Sequence, residues 1–185
     1  MTFNFRVKQM EKREIRRIVR GRIAALTEQQ RAEASERIFA AVEQLPSFEN
    51  AEVIALFASL QDEPRTEAFI AAWHGRKRIV LPRIEGEVMH FYDYSPEAMQ
   101  SGSFGIAEPQ GAQACDPADI DLMIVPGVAF TAEGWRLGRG KGFYDRYLSQ
   151  EGFRAATVGV CFAEQIVDSL PHEPHDKRIE KVVRG

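Results

Sequence analysis

The chain has 185 residues, of which 44% are hydrophobic and 28% charged, and its net charge is −3. This composition is typical of a soluble globular domain and excludes a disordered chain. No apolar run approaches the roughly 20 residues that a membrane-spanning helix needs, and no signal-peptide core is present near the N-terminus. Cys115 and Cys161 lack metal-ligand spacing. We therefore expect one domain over residues 1–185, in a reducing cytoplasm and without a membrane partner.

Positive charge is concentrated at the N-terminus. Residues 1–31 contain nine Lys or Arg and three Asp or Glu, so the rest of the chain carries nine net negative charges. A basic end on an acidic body favours a local anion site over a general nucleic-acid surface. A nucleic-acid-binding module built on this segment remains an alternative.

The first helices are predicted from apolar spacing. Residues 11–26 place Ile and Leu at helical intervals, and Lys12, Arg16 and Arg20 fall four apart on one shared face. Thr27 with Gln30 resembles a capping box, which predicts a second helix that ends at Pro46.

The middle of the chain alternates strands and helices. Apolar runs predict buried strands at 53–59, 78–82 and 87–94. Thr66 is expected to cap a short helix that ends at Trp73. Residues 95–118 are rich in Ser, Gly, Pro and Gln and predict a loop, with one helical turn after Pro96.

The second half continues the alternation. Strands are predicted at 121–130, 156–162 and 178–183, and short helices at 143–150 and 164–170. Buried strands that alternate with helices indicate a largely parallel sheet covered on both faces. The expected fold is α/β, with helices on each side of one central sheet.

The segment "RLGRGKGFYDRYL", residues 136–148, follows the strongest predicted strand. A strand, a glycine-rich loop and a helix form a phosphate-binding arrangement, because unpaired backbone N–H groups favour an anion. The loop lacks the GxxxxGK[ST] pattern, since Gly142 follows Lys141. It also lacks GxGxxG, since Phe143 occupies the last position. A tight turn without a ligand is the alternative, but the basic residues between the glycines favour an anion site.

This segment and "PGVAF" at 126–130 resemble the signature of the 5-formyltetrahydrofolate cyclo-ligase family. Further blocks are similar to the family's in the same order: "KREIR" at 12–16, "DEPRT" at 62–66, "FGIAEP" at 104–109 and "LPHEPHDKRIEKVV" at 170–183. The resemblance implies a three-layer α/β/α sandwich. It also implies an enzyme that uses ATP and Mg²⁺ to convert 5-formyltetrahydrofolate into 5,10-methenyltetrahydrofolate through a phosphorylated formyl group, with release of ADP and phosphate. We expect a monomer that binds no nucleic acid.

The resemblance also implies residue roles. Catalysis is assigned to Arg139, Tyr144 and Asp145, folate binding to Glu63 and Phe143, and Mg²⁺ binding to Asp145 and Asp176. ATP binding is assigned to Lys12, Arg16, Arg136, Gly138, Arg139, Gly140, Lys141, Gly142, Phe143 and Tyr144.

Simpler interpretations of the acidic residues remain open. Asp145 also suits the first turn of a helix, Asp176 suits a turn after Pro174, and Glu63 suits a solvated loop. "HEPHD" at 172–176 predicts loop histidines rather than a zinc site, because Pro174 opposes the helix that would pair them.

Two positions depart from the family pattern. Phe143 replaces a Tyr, and Thr131 replaces an Asp. A folate-binding relative without turnover, or another ATP-using enzyme on this scaffold, therefore remains an alternative.

Overall fold

The computed structural model describes residues 10–102 and 105–185; residues 1–9 of the basic segment and residue 104 of the block at 104–109 lie outside the described residues. In the described part, the helices are α1 (Lys12–Ala24), α2 (Glu28–Glu43), α3 (Pro46–Glu49), α4 (Glu67–Trp73) and α5 (Phe143–Leu148). The strands are β1 (Val53–Ala55), β2 (Arg78–Glu85), β3 (Val88–Asp93), β4 (Met99–Ser101), β5 (Ala107–Pro109), β6 (Leu122–Val125), β7 (Ala129–Phe130), β8 (Arg136–Leu137), β9 (Ala156–Cys161) and β10 (Lys181–Arg184).

A six-stranded sheet in the order β10-β9-β6-β1-β2-β3 forms the centre of the molecule. Its first five strands are parallel, and β3 runs antiparallel beside β2. The prediction of a largely parallel sheet is confirmed. The carboxyl ends of the parallel strands share one edge, which is where open α/β sheets bind ligands.

Helices on both faces of the sheet make three layers, as expected. On one face α1, α2 and α4 bury Ile15, Ile38 and Phe69 in a single hydrophobic cluster. On the other face α5 buries Tyr147, whose ring contacts Phe91 of β3 at a centroid distance of 4.8 Å. This second layer is thin, because α5 has six residues and loops cover the rest. Among the described helices, none is long and apolar enough to cross a bilayer.

The helix-end signals have mixed outcomes. The capping box is confirmed, because the Thr27 hydroxyl accepts from Gln30 N at 3.1 Å and the Gln30 side chain accepts from Thr27 N at 2.8 Å. Pro46 lies just beyond α2 but begins α3, since proline suits the first helical turn. Thr66 is the N-cap residue of α4, which ends at Trp73 as predicted, but its side chain makes no capping hydrogen bond. Its hydroxyl is buried and donates to Phe57 O at 2.8 Å.

The strands predicted at 53–59 and 121–130 end several residues before their predicted C-terminal residues. The run at 121–130 splits after Val125, because Pro126 has no N–H for a sheet ladder. The chain then turns, and β7 pairs antiparallel with β8. Of the predicted strand at 53–59, only β1 pairs regularly in the sheet. Residues 56–59 and 126–128 form loops at the carboxyl edge of the sheet.

Two further predictions need correction. Residues 95–118 contain the expected turn at Pro96–Ala98 but also an antiparallel β4–β5 hairpin, whose strands are too short to show alternation. The predicted helix at 164–170 is wrong beyond one 3₁₀ turn at Ala163–Gln165. Val167 N donates to Phe130 O at 2.9 Å, so this segment is held beside β7 instead.

Two glycines give opposite stability predictions for the same substitution. A Cβ at Gly159 of β9 would lie 2.6 Å from the ring of Phe130, which is fully buried. Gly159→Ala should therefore lower the free energy of unfolding by about 1–3 kcal/mol through overpacking. Gly21 lies on the exposed side of α1 with no atom within 4 Å of a new methyl group. Gly21→Ala should raise the free energy of unfolding by about 0.5–1 kcal/mol.

Urea unfolding of the two variants and the wild type measures both changes. A Gly159→Ala protein as stable as the wild type would contradict the close packing of Phe130 on β9.

Candidate active site

Loops at the carboxyl edge of the sheet enclose a cavity of about 990 Å³. Every residue that the resemblance singles out lines it: Lys12, Arg16, Glu63, Arg136, Gly138, Arg139, Gly140, Lys141, Gly142, Phe143, Tyr144, Asp145 and Asp176. Residues that are far apart in the sequence therefore meet at one site.

The glycine-rich loop between β8 and α5 needs its glycines for two reasons. Gly140 and Gly142 have φ values of 110° and 70°, a backbone region that other residues rarely adopt. A Cβ at Gly138 would lie 3.0 Å from a guanidinium nitrogen of Arg136, so the side chain leaves no spare room there. Gly142 directly precedes α5, and its conformation turns the chain into that helix.

Arg136 is buried beneath this loop, with 4% of its side chain exposed. Its Nη1 donates to Pro126 O and its Nη2 donates to Asp145 Oδ2, each at 3.2 Å. The guanidinium lies 5.3 Å from the centre of the Tyr144 ring. Arg136 Nε has no hydrogen-bond partner among the described residues. An unpaired buried donor on a cationic residue that lines a cavity fits an anionic ligand.

Two cations of α1 reach into the same cavity. Lys12 Nζ lies 2.9 Å from Asp176 Oδ2, and Arg16 Nε donates to Gly138 O at 2.8 Å. Burial, and then the charge of Arg20, lowers the pKa of Arg16, which stays protonated at neutral pH because arginine titrates far above it. The basic helix is therefore packed, with two of its charges inside the site.

Arg139 in the glycine loop pairs with two consecutive acids. Its Nη2 lies 2.6 Å from Asp62 Oδ1 and 2.9 Å from Glu63 Oε1. The other oxygen of Glu63 accepts from Leu60 N at 3.0 Å. Burial raises the pKa of Glu63, while the Leu60 N–H and the Arg139 charge oppose that rise. Glu63 is thus a buried, fixed carboxylate rather than a solvated loop acid.

Two further carboxylates that line the cavity, Asp145 and Asp176, are of the kind that binds a magnesium ion. Asp145 Oδ1 accepts from Lys177 N at 3.3 Å, so Asp145 and Asp176 lie on neighbouring parts of the wall. Burial alone would raise the pKa of Asp176, but the bonds from Lys12 and from Glu173 N outweigh it and lower the pKa. The described residues contain no group of three or more His, Cys, Asp or Glu placed so that they could hold a metal ion by themselves. Two carboxylates suit Mg²⁺, which takes its other ligands from phosphates and water.

An apolar wall faces these charges, and the sequence analysis missed it. Pro82 and Ile84 of β2 and Met89 of β3 line the cavity, and Ile84 pairs with Met89 across the hairpin. Alternation along β2 was the available signal, but it does not separate a cavity wall from a core face. Phe143 and Tyr144 extend this wall, and burial raises the pKa of Tyr144, so its hydroxyl stays protonated at neutral pH.

The model of the 5-formyltetrahydrofolate cyclo-ligase family matches residues 8–185. The chain belongs to this family of ligases. It is 32% identical to the 5-formyltetrahydrofolate cyclo-ligase of Haemophilus influenzae, over 95% of this chain and 98% of the relative. It is 29% identical to the Mus musculus protein of that name, over 93% and 92%. The NMR structure of Aquifex aeolicus 5,10-methenyltetrahydrofolate synthetase is 34% identical, with a TM-score of 0.85 over 95% of this chain and 90% of that one.

The departures from the family pattern have different structural settings. Thr131 is buried in the β7–β8 turn, where its hydroxyl accepts from Trp135 N at 3.2 Å. This acceptor is one that an Asp would also supply. Phe143 lines the cavity, and the Arg146 guanidinium lies 5.2 Å from its ring. The ring of Trp135 stacks on that of the loop residue His172, with 3.8 Å between the ring centres.

The titration of Glu63 should make the folded protein less stable as the pH rises. Because burial raises the pKa of Glu63 in the folded state, the folded protein holds this proton more tightly than the unfolded chain. Tighter binding of this proton stabilises the fold fully below the pKa of Glu63 in the unfolded chain, about 4.3. This stabilisation is lost as the pH rises through the higher pKa of Glu63 in the folded state. Glutamine does not titrate, so the Glu63→Gln variant does not lose stability in this way. The variant should gain stability relative to the wild type between pH 4 and pH 7.

Urea unfolding at several pH values measures the difference. The exposed Glu28→Gln variant is the control for a glutamate-to-glutamine change. A Glu63→Gln protein that loses stability relative to the wild type as the pH rises would contradict the assignment of Glu63 as a carboxylate that is costly to bury.

Proposed function

We propose that this protein converts 5-formyltetrahydrofolate and ATP into 5,10-methenyltetrahydrofolate, ADP and phosphate, with Mg²⁺ as cofactor. One observation carries the proposal: a cationic glycine loop and an apolar wall line a single cavity, and the paired Glu63 and Arg139, 2.9 Å apart, line it as well. Family membership gives the reaction, and the cavity gives room for both substrates on one side of the sheet.

The ATP side consists of the glycine loop and α1. Lys12, Arg16 and Lys141 supply positive charge to the phosphates, and Arg136 Nε supplies an unpaired donor nearby. Asp145 and the carboxylate of Asp176 would hold Mg²⁺. When bound, the metal neutralises phosphate charge and polarises the transferred group.

The folate side consists of the apolar wall and Glu63. Flat heteroaromatic rings bind between apolar side chains, and fixed polar groups set their orientation. Ile84, Met89 and Phe143 supply the apolar surface. The two oxygens of Glu63 are held by Arg139 and by Leu60 N, so the carboxylate presents a fixed acceptor.

The chemistry requires an activated formyl group. The formyl oxygen attacks the γ-phosphorus of ATP and ADP leaves, which gives a phosphorylated iminium. N10 then attacks the formyl carbon, which closes the ring, and loses its proton to water. The C–O bond then breaks and phosphate leaves, which gives the methenyl product. The protein contributes mainly positioning and charge, as in other phosphoryl transfers. Arg139 and the neutral hydroxyl of Tyr144 lie beside Glu63, where they would orient the formyl group.

We also propose that one domain over residues 1–185 acts as a cytoplasmic monomer without nucleic acid. The two free cysteines are buried, which suits a reducing compartment. Lys12 and Arg16 are engaged inside the cavity, which weighs against a basic surface for nucleic acid. Light scattering on a gel-filtered sample would measure the mass.

An absorbance assay tests the reaction. Purified protein with 5-formyltetrahydrofolate, ATP and Mg²⁺ should produce the near-ultraviolet absorption of the methenyl product. Omission of ATP or addition of EDTA should abolish it, because the phosphates and the metal act together. Full product formation in EDTA would contradict the metal assignment. A stable phosphorylated compound in place of phosphate release would indicate a different ATP-using enzyme.

Asp145→Asn separates catalysis from stability. If Asp145 holds Mg²⁺ against the phosphates, its loss should cost several kcal/mol in the transition state. At about 1.36 kcal/mol per tenfold, kcat should fall roughly hundredfold or more. Asp93→Asn is the matched control, because Asp93 also pairs with an arginine, Arg78 at 2.6 Å, but on the exposed edge of the sheet.

Both variants are assayed at saturating Mg²⁺, well below their melting temperatures. An Asp145→Asn enzyme that keeps most of its kcat would show that this residue serves only Arg136 and the first turn of α5.

A further inference from the structure

Asp62 does not line the main cavity, but its carboxylate pairs with Arg139, which does. Its Oδ1 accepts from Arg139 Nη2 at 2.6 Å and its Oδ2 accepts from Arg139 Nη1 at 3.2 Å. Two parallel contacts of this kind fix the plane of a guanidinium as well as its position. Asp62 itself faces a second, smaller hollow on the other side of Arg139. Arg139 forms part of the wall of both spaces.

The same guanidinium holds Glu63 with its other edge. Arg139 Nη2 donates to Glu63 Oε1 at 2.9 Å, and Arg139 Nε donates to that oxygen at 3.3 Å. Only 7% of the Glu63 side chain is exposed, and a buried carboxylate needs a paired cation to remain in place. All three nitrogens of Arg139 are therefore engaged by the two acids.

We propose that Asp62 is a positioning residue for folate binding, because it holds Arg139 in the plane that fixes Glu63 against the cavity. The inference rests on the proposed function, in which Glu63 contacts the folate. It places the main role of Arg139 on the folate side. The competing possibility is that Asp62 merely withdraws Arg139 from the ATP phosphates. The two possibilities predict different ATP affinities for an Asp62 variant. If Asp62 competes with the phosphates for Arg139, its removal would tighten ATP binding, whereas a positioning role leaves ATP binding unchanged.

Asp62→Asn and its control test the proposal by calorimetry with 5-formyltetrahydrofolate alone. Asp62→Asn should weaken folate binding about five- to tenfold, the effect of one charge-assisted contact in a partly exposed pair. Glu63→Gln is the positive reference and should weaken it at least as much. Glu28→Gln is the matched control. It breaks the exposed pair with Arg65 at the other end of the same loop, at 3.1 Å, and should change folate affinity by less than about twofold.

Kinetics and a double-mutant cycle distinguish positioning from a general loss of loop structure. The KM for ATP of Asp62→Asn should stay within about twofold of wild type. Adding Asp62→Asn to Arg139→Gln should weaken folate binding no further, because Asp62 acts through Arg139. Asp62→Glu should restore part of the lost affinity.

The outcomes separate this inference from the proposed function. If the wild type binds folate and Asp62→Asn binds it equally well, the positioning role is wrong. A lower KM for ATP in Asp62→Asn, or additive effects with Arg139→Gln, would overturn it as well. A wild type that neither binds 5-formyltetrahydrofolate nor forms methenyl product would overturn the proposed function itself.

Discussion

The buried guanidinium of Arg136 is the interaction on which the rest of the site depends. It joins Pro126, just after the central strand β6, to Asp145 in the first turn of α5. The glycine loop lies between these two points and is tied at both ends. A segment with three glycines loses much conformational freedom when it is ordered. The buried pair, together with Arg16 on Gly138 O, holds that segment in one shape over the cavity.

Ion pairs between distant segments close the other walls in the same way. Lys12 joins α1 to the C-terminal loop through Asp176, and Arg139 joins the glycine loop to Asp62 and Glu63. Each of these two cations is matched by a carboxylate, whereas among the described residues Arg16 bonds only a carbonyl oxygen, that of Gly138. In the proposed complex, phosphate oxygens would replace Asp176 as the partner of Lys12, and the freed carboxylate would be available to Mg²⁺. Substrate binding would then exchange the partner of Lys12 as it brings in the charges of ATP and the metal.

Features with a local cause were predictable from the sequence. The capping box at Thr27, the buried strand β9 and the parallel sheet follow from short-range patterns, and the ordered family blocks located the cavity residues. The split of the strand after Val125 has a local cause in Pro126, which the apolar run on both sides of it concealed. The β4–β5 hairpin is local, but its strands are too short to show alternation, and the extended chain at Val167 depends on Phe130, which is distant in sequence. Asp62 was indistinguishable from a solvated loop acid until its contact with Arg139 was visible.

Isotope transfer tests the proposed reaction most directly. If the formyl oxygen attacks the γ-phosphorus within this cavity, the C–O bond breaks only after the P–O bond has formed. One turnover of 5-formyltetrahydrofolate labelled with ¹⁸O in the formyl group should therefore place the label in inorganic phosphate, as mass spectrometry of the phosphate would measure. Label in the phosphate, with an amount equal to the methenyl product, is the predicted result. Unlabelled phosphate with labelled water would contradict the proposal, because the formyl oxygen would then have left without phosphorylation.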